Sequence, residues 1–269
     1  MSRPVPRSYL FVPGNRPERF DKAVAAGADA VIIDLEDAVP VAEKSQARAA
    51  LAAWASAERP VIVRINGADT TDFAADLDAC RTGGIAGVML PKSESVDQIA
   101  HLAQRVGRDK YVIALVETAR GLHDAVTLAR APQVSRLAFG SIDFQLDLGI
   151  QGERDELLCF RSHLVLASRL AGLQAPIDGV TTALDDAERL RDDAGYARRL
   201  GFGAKLCIHP RQVAVVHECF GPSPEELAWA RRVVAAAEAA KGAAVALDGK
   251  MIDRPVILKA QEILAAGAT

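Results

Sequence analysis

Two acids stand at matching places in one strand–helix–strand unit. Glu117 closes the apolar run Tyr111–Thr118, and Asp143 closes the run Val134–Asp143. The stretch between them is amphipathic and rich in small residues, which predicts one crossover helix. Strands joined by a single helix are parallel and commonly adjacent, and adjacent strands lie about 4.8 Å apart. Two carboxylates aimed into one mouth at that spacing repel, and one tends to protonate. A hard divalent cation resolves the conflict, and oxygen-only ligation suits Mg²⁺ or Mn²⁺ rather than Zn²⁺. The plainer reading is that each acid caps a helix N-terminus. For either acid alone the cap is the better account; for the pair, the shared metal is.

Other charged residues fall at the ends of apolar runs: Asp34, Glu36 and Asp37 after AVII, Arg64 and Asn66 in VRIN, Lys92 in LPK, Asp178 in PID and His209 in CIH. Charges are rarely buried without a partner, so a ring of them is unusual for a plain core. Arg64 is the sharpest single residue. Its guanidinium is permanently charged and offers a planar fork to a carboxylate or an enolate oxygen. A structural ion pair with Glu36 or Asp37 is the competing reading and can coexist with function. Glu36 and Asp37 are expected to hold metal-bound waters and orient Arg64, or to form a solvated turn. Lys92 is expected to pair with these acids without a catalytic role. His209, before Pro210, reads as a turn histidine, and Gly-Phe-Gly at 201–203 as a helix-to-strand turn.

The elements that must position these residues follow in order. Strands are expected at Arg7–Pro13, Ala30–Asp37, Pro60–Asn66, Gly87–Lys92, Tyr111–Thr118, Val134–Asp143, Ala175–Val180 and Ala204–His209. Helices are expected at Pro17–Ala26, Glu43–Ala57, Thr70–Thr82, Ser95–Val106, Asp155–Ala171, Asp185–Leu200 and Gln212–Phe220, with an irregular segment over Gln145–Glu153. The strands are continuous apolar runs, as when both sheet faces are covered. An open doubly wound sheet shares that alternation, but eight units in this length favour an α/β (β/α)8 TIM barrel. The catalytic barrel is expected over residues 1–221, with a C-terminal helical extension over 222–269 contacting a neighbouring subunit. That extension reads as a helix Pro224–Lys241, a small hairpin around Asp248-Gly249, and a helix Pro255–Ala266.

Bulk properties bound the function. The chain has 269 residues, half of them hydrophobic, and a net charge of -3. This is a soluble globular composition without an electrostatic footprint for nucleic acid or an anionic membrane. The four cysteines form no CxxC pair, so neither a disulfide framework nor a zinc motif is visible. Reduced thiols in a cytoplasmic protein are the simplest reading. The N-terminal segment resembles neither a signal peptide nor a membrane span.

Taken together, SYLFVPGNRPERF at 8–20, ADAVIIDLEDAV at 28–39, VRIN at 63–66, LPKSES at 90–95, VETARGL at 116–122, FGSIDF at 139–144, KLCIHPRQV at 205–213 and DGKMIDRP at 248–255 resemble the citrate lyase β-subunit-like (CitE-like) branch of the HpcH/HpaI aldolase family. The resemblance implies a TIM-barrel acyl-CoA lyase that needs Mg²⁺, with Mn²⁺ as a substitute. It implies metal ligation by Glu117 and Asp143, and substrate binding by Arg64 and Glu117. In relatives with a GKMID-like tail an acid enters a neighbouring subunit's active site; Asp253 is the matching residue here, and its local reading is a helix N-cap before Pro255. The implied assembly is a homo-oligomer, at least a dimer, with a trimer compatible. Among citryl, malyl and citramalyl thioesters, the overall likeness points to (S)-citramalyl-CoA, cleaved to pyruvate and acetyl-CoA. CoA is expected across the mouth, its phosphates near basic residues such as Arg16. A non-catalytic barrel that binds acyl-CoA is the alternative of another class.

Overall fold

The computed structural model describes residues 5–239 and 245–267. Eight strands, β1 (Ser8–Pro13), β2 (Ala30–Asp34), β3 (Val61–Arg64), β4 (Ile85–Leu90), β5 (Tyr111–Val116), β6 (Val134–Phe139), β7 (Ile177–Asp178) and β8 (Ala204–Cys207), close into one parallel barrel. The ring shuts where Tyr9 of β1 lies opposite Leu206 of β8. Successive side chains on a strand face opposite ways. One set, including Tyr9, Ile32, Ile62, Met89, Ile113, Leu115, Ala138, Ile177 and Leu206, forms a single buried cluster. The alternate set, such as Leu10, Ile33, Val63, Val88 and Leu137, is also buried, which explains why the runs are apolar throughout. The barrel is therefore the (β/α)8 architecture expected from the sequence.

The intervening helices are α1 (Phe20–Ala25), α2 (Lys44–Trp54), α3 (Phe73–Ala79), α4 (Val96–Val106), α5 (Ala119–His123), α6 (Ala125–Ala129), α7 (Ser141–Leu148), α8 (Asp155–Leu170), α9 (Ala187–Leu200) and α10 (Arg211–Phe220). Three differences from expectation bear on the site. The crossover between β5 and β6 is two short helices that meet at Asp124 rather than one. Strand β2 stops at Asp34 because the Asp34 carboxylate accepts the backbone N–H groups of Glu36 and Ala38, at 3.0 and 3.2 Å, turning the chain locally. Strand β6 stops at Phe139. Gly140 N–H donates the last ladder bond to Val116 O at 3.0 Å, and Gly140 O accepts from Phe144 at 3.0 Å to open α7. Asp143 is thus in the first turn of a helix, not on a strand, and α7 fills the start of the stretch expected to be irregular. Gly149, at φ 70°, ends it in the left-handed region.

The chain divides into two compact units, Pro6–Val216 and a second that holds the described residues from His217 onward. The second contains α11 (Pro224–Ala239), an antiparallel hairpin β9 (Val245–Leu247) and β10 (Lys250–Ile252), and α12 (Arg254–Gly267). The hairpin turns at Asp248-Gly249, both with positive φ, as its sequence suggests. Ala230, Val233, Ile252 and Ala260 form its small core. The last two residues of the expected helix Pro224–Lys241 lie outside the described residues, as do 1–4, 242–244 and 268–269 of the expected domains. Among the described residues no helix is long and apolar enough to cross a membrane, and all four cysteines are free.

Candidate active site

At the C-terminal ends of the strands a cavity of about 470 Å³ opens, where TIM barrels gather their reactive groups. Asp34, Asp37, Arg64, Glu117 and Asp143 line it together with Phe11, Leu115, Val180, Leu206 and Ile208. Glu117 follows β5 directly and is buried. Its Oε1 accepts the Lys92 backbone N–H at 2.8 Å, so Lys92 serves this site through its main chain. Burial pushes the Glu117 carboxyl up to about 7; Asp143 and Asp37 add to the rise, while the Lys92 N–H and Arg64 oppose it. Asp143 reaches the same cavity from α7. The first turn of that helix rests on β7: a Cβ on Gly179 would come within 2.5 Å of Ser141 Oγ and 2.9 Å of Phe139 O.

The pair fits a hard divalent cation. One acid is driven toward protonation partly by the other, and a shared cation restores both to the ionised form. Among the described residues no group of three or more His, Cys, Asp or Glu side chains is placed to hold a metal. A two-carboxylate site leaves coordination positions for water and substrate oxygens, which is how Mg²⁺ is commonly held. A closed structural zinc cage needs four protein ligands, which these two acids do not supply.

Arg64 sits across the mouth in a cage of acids. Its Nε and Nη2 donate to the two oxygens of Asp34, at 2.8 and 2.6 Å. Its Nη1 lies 3.0 Å from Glu36 and 3.5 Å from Asp37. Its face stacks on Phe11, 4.8 Å from the ring centroid. Burial works against the guanidinium charge, but Asp34, Glu36 and Asp37 more than offset it. Both expected ion pairs are present, yet the principal partner is Asp34, to which sequence reading gave no role. The signal was register: Asp34 and Arg64 are directly paired on β2 and β3. Burial raises the Glu36 carboxyl to about 8; Arg64 opposes that rise, and Asp37, Glu117 and Asp34 reinforce it. Asp34 takes two of Arg64's N–H donors in bidentate geometry, leaving Glu36 the weaker share.

Two helical residues missed in the sequence hold the loop that carries Glu36 and Asp37. Lys44 Nζ donates to the carbonyls of Leu35 and Glu36, at 2.9 and 3.0 Å, and to Asn66 Oδ1 at 2.5 Å. Asp76 in turn accepts both the backbone N–H and the side-chain amide of Asn66, at 2.8 and 2.6 Å. A second set of ions underlies the ends of β7 and β8. Lys205 Nζ and Arg161 Nε donate to Asp178, at 2.8 and 3.0 Å. Burial alone raises the Asp178 carboxyl, but Lys205 and Arg161 bring it below its ordinary value.

The remaining candidates have local partners. His209 is a turn residue whose Nδ1 accepts from Arg211 N–H at 3.2 Å. Arg16 is exposed and 4.0 Å from Glu18. Asp253 lies in the second compact unit, where its Oδ1 accepts from Val256 N–H at 3.4 Å as an N-cap of α12.

Residues 7–210 match the HpcH/HpaI aldolase/citrate lyase family model. The chain is 42% identical over 263 residues to a citrate lyase subunit beta-like protein of Mycobacterium tuberculosis, covering 95% of this chain and 93% of that one. It is 36% identical to a (3S)-malyl-CoA thioesterase of Cereibacter sphaeroides, covering 96% of this chain and 93% of the relative. Its structure superposes on that of M. tuberculosis CitE in complex with magnesium, acetoacetate and coenzyme A with a TM-score of 0.89, at 40% identity and with both chains fully covered. The matched region runs through every barrel strand, and the chain belongs to the HpcH/HpaI aldolase/citrate lyase family and is a carbon–carbon lyase.

Proposed function

We propose that this chain is a Mg²⁺-dependent lyase that cleaves a 3-hydroxyacyl-CoA by a reversible retro-Claisen reaction, with (S)-citramalyl-CoA giving pyruvate and acetyl-CoA. The observation that carries this reading is the two-sided mouth. Glu117, Asp143 and Arg64 line it beside a wall of Phe11, Leu115, Val180, Leu206 and Ile208. Citramalyl, citryl and malyl thioesters differ in the third substituent on the carbinol carbon: a methyl, a carboxymethyl or a hydrogen. Arg64 is the one cation among the described lining residues, and Asp34 already holds it. A second carboxylate would therefore meet acids and apolar side chains. A methyl against the wall gains about 1 kcal/mol or more over hydrogen.

Glu117 and Asp143 hold the Mg²⁺, which when bound supplies Lewis-acid polarisation of the substrate hydroxyl and of the ketone it becomes. Glu36 and Asp37 would hold water bound to that ion, and they keep Arg64 oriented. Arg64 has five N–H donors, and those not taken by the acids face the substrate's carboxylate and reacting oxygens, where a preorganised donor is worth several kcal/mol. A carboxylate lining the mouth takes the hydroxyl proton, the O–H electron pair forms the ketone of pyruvate, and the C–C bond breaks with its electron pair forming the enolate of acetyl-CoA. Asp253 of a neighbouring subunit delivers a proton to the enolate carbon, and in the condensing direction removes one. The C-terminal extension thus acts between subunits of a homo-oligomer. Free cysteines accord with the reducing cytoplasm.

The test is turnover of the purified protein on (S)-citramalyl-CoA and on malyl-CoA, each with Mg²⁺ and with EDTA. Metal-dependent release of acetyl-CoA and pyruvate is the expected result. Absence of cleavage by folded, Mg²⁺-loaded protein overturns the reading. The likeness to a (3S)-malyl-CoA thioesterase supports malyl-CoA as a second substrate. Glyoxylate as product then reports lyase chemistry, and free malate reports thioester hydrolysis.

A further inference from the structure

Gly140 stands where β6 ends, and its backbone has two duties already noted: it closes the β5–β6 ladder and opens α7. Its dihedrals, φ -85° and ψ 72°, lie on the negative-φ side that side chains tolerate. Backbone conformation therefore does not call for glycine here. The call comes from space. A Cβ built at 140 would fall 2.4 Å from Glu117 Oε2, 2.6 Å from Glu117 Cβ and 3.2 Å from Glu117 Cδ. These three nearest atoms all belong to one side chain, and two of the contacts are shorter than real Cβ atoms show.

We propose that Gly140 is a positioning residue for the Glu117–Asp143 pair: the space left by its missing side chain is where the Glu117 carboxylate lies, at the foot of the helix that brings Asp143. The inference rests on the reading of Glu117 and Asp143 as metal ligands. The geometry explains how two acids from different elements converge. Lys92 N–H fixes one oxygen of Glu117 from the β4 side, and the other oxygen lies over Gly140 on the β6 side. With any larger residue at 140, Glu117 must swing away or α7 must lift, and either change separates the pair.

The experiment combines Mn²⁺ binding, followed by the electron paramagnetic resonance of the free ion, with thermal unfolding of the full-length protein in EDTA. Asp143→Asn tests the ligand reading by itself; unchanged Mn²⁺ affinity in that variant removes the ligand assignment and this inference with it. Gly140→Ala is expected to weaken Mn²⁺ binding tenfold or more and to lower the melting temperature. In a Glu117→Gly background the same Gly140→Ala change is expected to leave the melting temperature where Glu117→Gly alone puts it, because the close contacts with the Glu117 side chain are gone. A glycine needed only by the backbone would cost equally in both backgrounds, and that outcome overturns the proposal. Unchanged Mn²⁺ affinity in Gly140→Ala, with affinity lost in Asp143→Asn, overturns it as well. Where Gly140→Ala fails to fold alone, the Glu117→Gly/Gly140→Ala double variant is expected to fold, and an unfolded double variant sinks the idea.

Discussion

Arg64 has a structural duty beside the chemistry proposed for it. Its fork closes on Asp34, and Glu36, Asp37 and the Phe11 ring hold the rest of the guanidinium in place. Lysine would keep the charge but lose the planar fork. Arg64→Lys is therefore expected to lower kcat roughly a hundredfold or more, with a stability loss of about 1–3 kcal/mol from the half-paired Asp34. Steady-state turnover at saturating Mg²⁺ and a denaturant melt read the two effects, and wild-type kcat in a folded variant removes Arg64 from the reaction. Asp143→Asn separates metal from fold. It is expected to abolish metal-dependent turnover with the melting temperature of the metal-free protein nearly kept, and full activity would remove the metal assignment. These residues were legible because charge at the end of an apolar run is conspicuous. Asp34 was seen but given no role, since its partner depends on strand register rather than on any local pattern. Lys44 and Asp76 were invisible as site supports because each sits in an ordinary helical stretch.

At the scale of elements, the loop after β2 and the paired ends of β7 and β8 carry distinct electrostatic consequences. Glu36 has a folded-state pKa of about 8, raised from 4.5. The unfolded chain releases this proton near pH 4.5, while the metal-free folded state holds it until about pH 8. Between those values the folded state binds more protons, so this group's contribution to stability falls as pH rises. Glu36→Gln mimics the protonated form. Its stability relative to wild type is expected to be similar near pH 5 and to rise by roughly 1–4 kcal/mol toward pH 9. Urea midpoints in EDTA measure this, and a difference that stays flat with pH refutes it. The Asp178 cluster behaves in the opposite way. Lys205→Met leaves the buried Asp178 carboxylate with Arg161 as its ionic partner, and a loss of about 3–5 kcal/mol is expected. Thermal unfolding decides the matter, with a change under 1 kcal/mol contradicting the account. The eight strands and most helices were legible from apolar runs and their spacing. The end of β6 was not, because FGSIDF carries apolar residues on both sides of the turn. Gly140 ends the strand through one ladder bond and one helical bond, and neither shows in hydrophobicity.

At the scale of the whole molecule, the barrel supplies Glu117, Asp143 and Arg64 from one compact unit, while Asp253 belongs to the other. The hairpin that precedes Asp253 was legible from its Asp-Gly turn, and the N-cap from Asp253 standing two residues before Pro255. Whether Asp253 serves an active site, and in which subunit, depends on assembly, which no pattern within one chain encodes. The proposal that Asp253 acts across a subunit interface has a distinctive consequence. Asp143→Asn subunits lack a metal ligand but keep the proton donor, and Asp253→Asn subunits have the reverse defect. Each homo-oligomer alone is expected to be nearly inactive, with Asp253→Asn still binding Mn²⁺ as wild type does. In a closed ring of randomly mixed subunits, an intact site needs Asp143 from one chain and Asp253 from its neighbour. About a quarter of the sites meet that condition at equal proportions. Co-expression of the two variants, followed by an assay of acetyl-CoA release from (S)-citramalyl-CoA, is therefore expected to recover roughly that fraction of wild-type turnover. If Asp253 serves its own barrel, every site in the mixture has one defect or the other and activity stays at the level of the separate variants. If Asp253→Asn alone retains full turnover, the residue is an N-cap and nothing more.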